Sequence, residues 1–206
     1  MRLAEPLDDL FQSRSHVKVL RALARLPKGI DASIREIARR SGVTHPTAST
    51  VLESLRVQGI VVARATLLAS EYHLNVDHVL AGRLEELFRW ESRIQRDVLG
   101  FLADEIGIRA PWTKEAYLFG SAVKGEMRPD SDLDIAIICP PRRAAKLAAI
   151  VEELGESASA KFGNRVSAVI GLKPIEELAA RGSRAHRLWR QIATEGIRFW
   201  PPDGEV

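Results

Sequence analysis

A single cysteine in 206 residues, Cys139, excludes an internal disulfide and metal binding through cysteine pairs. It ends an apolar run, so a buried core thiol is the simplest reading. Aromatic residues are sparse at 6% and are not interleaved with basic ones, which argues against a surface that stacks single-stranded bases. No apolar run approaches the roughly 20 residues that span a bilayer. Glu5, Asp8 and Asp9 near the start argue against a secretory signal. A cytoplasmic protein with no membrane contact is expected. The five histidines (16, 45, 73, 78 and 186) show no ligand spacing and read as surface or helix residues. Internal repeats and low-complexity segments are absent. What is present, 46% hydrophobic and 28% charged residues, is ordinary for a globular chain of one large domain or two small ones.

Charge is unevenly spread. Residues 1–75 hold 11 Lys+Arg against 7 Asp+Glu, whereas residues 76–206 hold 19 against 20. The front end is basic and the back end is not, which points to nucleic acid at the front.

Apolar positions from Leu7 to Leu26 follow helical spacing, and Pro27-Lys28-Gly29 ends them. Ser33 with Glu36 forms a capping box for a helix from Ile34 to Arg40. Gly42 allows a tight turn, and Pro46 fits the first turn of a third helix that runs to Val57. Ile60-Val61-Val62 and Glu71 to Leu74 read as paired strands. Three helices and a hairpin make a winged helix-turn-helix, and REIARRSGVTHPTASTVLESLRVQGIV resembles the reader segment of many bacterial transcription regulators. The resemblance implies that the third helix enters the major groove of double-stranded DNA. His45, Thr47, Ala48, Ser49 and Thr50 would approach base edges or phosphates, with Arg35, Arg39, Arg40 and Arg64 on the backbone. The competing reading is a solvated arginine face on a module that binds protein.

From Asp77 to Ile106 a helical period runs almost unbroken, a spine of about 45 Å if continuous, with Gly82 and Gly100 as its weak points. Its apolar stripe needs cover, from the first helix or from the same helix of a second subunit; a homodimer suits a reader of paired half-sites. Domains are therefore expected at 1–75, 76–108 (the connecting helix) and 109–206, with Pro111 marking the last boundary.

The chemistry concentrates in AYLFGSAVKGEMRPDSDLDIAIIC, residues 116–139. Short apolar strands flank Gly120-Ser121 and Ser131-Asp132-Leu133-Asp134. Alternation along a strand puts Asp132 and Asp134 on one face. Two adjacent carboxylates repel, and a hard divalent ion with oxygen ligands is their natural partner. Gly-Ser, about ten residues and then Asp-x-Asp resembles the signature of nucleotidyltransferases of the DNA polymerase beta superfamily. The minimal branch is the nearer match, through Lys124 and Pro129-Asp130-Ser131-Asp132-Leu133-Asp134. The resemblance covers residues 113–172 and implies an α+β fold in which a mixed sheet is flanked by helices. It further implies Asp132 and Asp134 as catalytic metal ligands for magnesium or manganese. Gly120, Ser121, Lys124 and Ser131 would hold the phosphates of a nucleoside triphosphate. Arg128 either reaches phosphate or pairs with Glu126 or Asp130. A nucleoside monophosphate would pass to an acceptor hydroxyl.

Active members carry a third carboxylate on the next central strand. Here that strand is Arg165 to Gly171, it holds no acid, and the place falls at Ser167. Two functions follow: a DNA-bound nucleotidyltransferase, or a regulator whose degenerate transferase domain senses nucleotide or binds a partner. Members of the minimal branch often work beside a partner in toxin–antitoxin pairs, so an antitoxin that represses its own operon is a form of the second. Trp189 and Trp200 read as core, with base stacking the alternative.

Overall fold

The computed structural model describes residues 11–27, 29–66, 70–128, 130–180 and 186–202. They form two compact units, which meet in sequence between Arg93 and Ile94.

In the first unit, helix α1 (Arg14–Ala24) starts at Ser13, whose hydroxyl accepts from the His16 amide. The expected helix over residues 7–10 lies outside the described residues. Strand β1 (Ala32–Ser33) leads into α2 (Ile34–Ser41), and Gly42, in the left-handed region at φ 61°, turns the chain towards α3 (His45–Val57). Strands β2 (Val61–Ala65) and β3 (Ser70–Leu74) form the wing, and β1 adds to β3, giving the order β1-β3-β2. The two-residue β1 had no sequence signal; it exists because Ala32 and Ser33 pair with Tyr72 and Glu71. Leu20, Ile37, Leu52, Leu55 and Ile60 are fully buried at the centre.

The long connecting helix is two helices, α4 (Ala81–Glu91) and α5 (Ile94–Arg109). Gly82 and Gly100 both lie inside helices, and the break falls at Ser92-Arg93 instead. The Ser92 hydroxyl donates to the Arg89 carbonyl (2.7 Å), and the Arg93 amide turns back to Trp90 O (2.8 Å). These bonds replace helical continuation. Each half then serves its own core. Ala81, Leu84 and Phe88 of α4 pack in the first unit, where Arg21 makes a bidentate pair with Glu91 and lies over the Phe88 ring. Val98, Leu102 and Ile106 of α5 pack in the second. Burying one such side chain is worth roughly 1.5–3 kcal/mol, enough to outweigh a continuous helix across two residues.

The second unit holds a four-stranded sheet of order β6-β5-β4-β7, comprising β4 (Glu115–Phe119), β5 (Leu133–Ile138), β6 (Val166–Gly171) and β7 (Ile197–Trp200). β5 runs antiparallel to β4 and parallel to β6, the latter through the long crossover helix α7 (Ala144–Phe162). A one-turn helix, α6 (Ser121–Lys124), follows β4; α8 (Ile175–Ala179) and α9 (His186–Glu195) follow β6. β5 is buried on both faces. Leu133, Ile135 and Ile137 meet α5 and α7, whereas Ala136 and Ile138 meet Ile175, Trp189 and Ile192 of α8 and α9. Trp189 is thus core, as expected, and Cys139 is a buried thiol. Trp200 is half-buried; its indole N–H donates to Thr113 O (3.0 Å).

Candidate active site and nucleic-acid face

β4 and β5 are registered so that Phe119 lies opposite Asp134, which brings the next residue, Gly120, against the Asp134 carboxylate. Gly120 has φ 76° and ψ −146°, and a Cβ there would fall 2.3 Å from Asp134 Oδ2. Only glycine meets both conditions. Burial pushes the Asp134 carboxyl above its ordinary pKa, and the charge of Asp132 adds to the effect. Asp132 itself is exposed, one residue before β5 begins. The pair is therefore an electrostatically costly arrangement that an added cation would relieve.

The loop between α6 and β5 is tied at its far end. Ser131 Oγ accepts from the Arg128 amide (2.9 Å), and Ser131 O accepts from Asn164 Nδ2 (2.9 Å). The Ser131 hydroxyl thus closes its own loop and keeps its O–H as a donor for a ligand. The Arg128 side chain is exposed. Lys124, expected to face phosphate, ends α6 with its ammonium 3.6 Å from Glu195 Oε2, and Glu195 also accepts from Gln191 (3.0 Å). Ser121 opens α6, half-buried.

β6 lies parallel to β5 with Ser167 level with Asp134. Paired residues on adjacent strands share a face, so Ser167, exposed, occupies the position beside Asp134 where a third acid would stand. Among the described residues no group of three or more His, Cys, Asp or Glu side chains converges on a metal-sized point. The donors are two carboxylates, a set that would suit a hard divalent ion. Sequence reasoning missed Asn164 and Glu195. Neither belongs to a motif.

In the first unit, Thr44 caps α3 and its hydroxyl bonds that of Thr47 (2.8 Å), so Thr47 is half engaged. His45, Ser49 and Thr50 are exposed on the same helix, with Thr50 Oγ1 donating to Pro46 O (3.1 Å). Ala48, expected near base edges, is fully buried and serves packing. Arg35 is exposed on α2. Arg39 and Arg40 are held by Glu36, whose carboxyl their hydrogen bonds depress to about 2. Arg64, on the wing strand β2, reaches Asp31 (3.1 Å).

Residues 13–66 match the MarR family, and residues 102–185 match the nucleotidyltransferase domain family. The chain joins a MarR-type winged helix to a nucleotidyltransferase domain. Both assignments fall on the parts of the fold just described. The MarR match covers α1 to β2, and the nucleotidyltransferase match contains Gly120, Asp132, Asp134 and Ser167. No curated protein matches the chain. Similar solved structures include a mutant of the toxin–antitoxin MntA-HpeT (19% identity over 50% of this chain and 72% of that one, TM-score 0.34). Another is a toxin–antitoxin with AMP-PNP (21% identity, 50% and 72% coverage, TM-score 0.35). A third, PigF with SAH, has 17% identity over 83% of this chain and 62% of that one, with a TM-score of 0.26. With TM-scores this low, the assignment rests on the two domain matches. Among the described residues, no helix of the fused protein is long and apolar enough to cross a membrane.

Proposed function

We propose that the chain is a DNA-binding protein whose nucleotidyltransferase domain binds a nucleoside triphosphate together with magnesium or manganese. The observation that carries this reading is the Asp134 carboxylate, partly desolvated against Gly120 with a second carboxylate beside it. A divalent ion bound there would neutralise phosphate charge and act as a Lewis acid. The remaining work belongs to the chain. Asp132 and Asp134 hold the ion, and the bare Cα of Gly120 leaves room beside them. Lys124 exchanges Glu195 for a phosphate oxygen; both partners are about half exposed, so the exchange costs little. Exposed apolar side chains on α4, Leu87 at 44% and Trp90 at 58%, favour a second copy of the chain as cover.

Melting the protein against a panel of nucleoside triphosphates tests the reading. Ligand at 100 times its dissociation constant should add about 2.7 kcal/mol when magnesium is present. No shift with any triphosphate would reduce the domain to a scaffold.

Transfer to an acceptor hydroxyl needs a base to take its proton, and Ser167 is uncharged and a poor one at neutral pH. That single residue favours a second reading, a nucleotide-responsive transcription regulator or antitoxin with little or no turnover. The Ser167→Asp variant discriminates. Beside Asp134 a third carboxylate adds repulsion, so the metal-free protein should melt lower, and magnesium should restore it with higher affinity than in the parent. Appearance of pyrophosphate from the variant alone would show that the missing anion is what limits the parent. A folded variant without magnesium response would place the defect elsewhere.

A further inference from the structure

Glu36 is the third residue of α2, where a capping-box acid would turn back towards the N-cap. It turns the other way. Arg39 Nε and one of its terminal nitrogens donate to the two carboxylate oxygens (2.9 and 2.7 Å), and Arg40 Nε donates to Oε1 (2.5 Å). Three charged N–H groups thus converge on one carboxylate at the solvent face of the helix preceding α3. The Arg39 side chain is 71% exposed and that of Arg40 42%, so the cluster contributes little to holding the fold. Its larger effect is on what the two guanidinium groups can do next. Arg35, exposed on the same helix, makes no ion pair with any other described residue. Arg40 also borders a basic cavity that Lys18, Arg21 and Arg25 help to line. Glu36 is therefore an acid set among cations, on the side of the winged helix that carries the expected backbone contacts.

We infer that Glu36 is an internal competitor for phosphate: it occupies Arg39 and Arg40 in the free protein and sets how tightly the winged helix holds DNA of any sequence. The inference rests on the DNA-binding part of the proposed function. A planar guanidinium fork fits a carboxylate as it fits a phosphate, so a phosphate that takes the engaged edge of Arg39 or the Nε of Arg40 must displace Glu36, and one that takes their remaining N–H groups meets a charge Glu36 already offsets. Each phosphate neutralised steepens the logarithmic salt dependence of binding by about 0.9.

The test is duplex binding by the full chain over a salt series, with Glu36→Gln beside the parent. Glutamine keeps the length and polarity of glutamate and suits the same helix position, and Glu36→Ala provides a second variant without the amide. Both should bind random-sequence duplex about ten-fold tighter at low salt, with a slope steeper by about one to two phosphate contacts. Adding Arg39→Gln and Arg40→Gln to Glu36→Gln should abolish the gain. Unchanged or weaker binding by both single variants, or a gain that survives loss of both arginines, would overturn the inference while leaving DNA binding intact. If the parent binds no duplex even at the lowest salt, the DNA-binding reading itself fails, and the role of Glu36 with it.

Discussion

With Asp132 and Asp134 both replaced by asparagine, the magnesium-dependent stabilisation proposed for nucleoside triphosphate should disappear entirely, a loss of about 2.7 kcal/mol at ligand 100 times over its dissociation constant. The same protein without ligand should melt higher than the parent, not lower. A carboxyl whose folded pKa is raised, as that of Asp134 is by burial and by Asp132, stabilises the fold only below its unfolded pKa. That contribution is lost as pH rises through the folded value, so at neutral pH the charge works against the fold. Asparagine removes the charge and keeps the shape. The two shifts therefore have opposite signs, which separates a damaged site from a damaged fold. Melting curves at pH 7, with and without magnesium and nucleotide, read both. A variant that kept the nucleotide response would dissociate binding from the paired carboxylates.

Gly120→Ala should be nearly as severe for the site, by another route. At φ 76° and ψ −146° the backbone is in territory reserved for glycine, and holding an alanine there costs on the order of 1–3 kcal/mol. The new methyl would meet Asp134 Oδ2 at 2.3 Å, so the carboxylate must move. Nucleotide response is expected to vanish along with a drop in melting temperature. Gly125→Ala supplies the comparison: it too has a positive φ, 71°, but a Cβ there meets nothing within 4 Å. It should lose stability from backbone strain alone and keep the nucleotide response. Equal losses of response in the two variants would mean that the loop, and not contact with Asp134, governs binding.

These predictions concern residues that the sequence displayed openly. Gly120, Asp132 and Asp134 stand within 15 positions of one another, and the strand alternation around them is local, so a reader of the chain can bring them together. Ser167 was locatable for a similar reason: the parallel strand that carries it has a recognisable apolar pattern. Asn164 was not, because its amide matters only once the crossover helix α7 has returned the chain to the Ser131 carbonyl. Glu195 reaches Lys124 from the end of α9, 71 positions later, and no periodicity announces that meeting. The connecting helix failed on a finer point. Its apolar stripe continues across Ser92, but a serine hydroxyl that bonds a preceding carbonyl leaves no mark on hydrophobic spacing. Ala48 shows the converse: one position on an otherwise exposed helix face turned inward, which a list of consecutive residues does not resolve.

Because β5 and β6 run parallel and in register, Asp134 and Ser167 are neighbours with no loop between them that would have to refold. Ser167 is exposed, so exchanging its hydroxyl for a carboxylate, or the reverse, requires no repacking of the sheet. Gain and loss of the third anion is a one-residue event on a standing scaffold. On the proposed reading, the step between binding nucleotide and turning it over would then ask nothing of the winged helix.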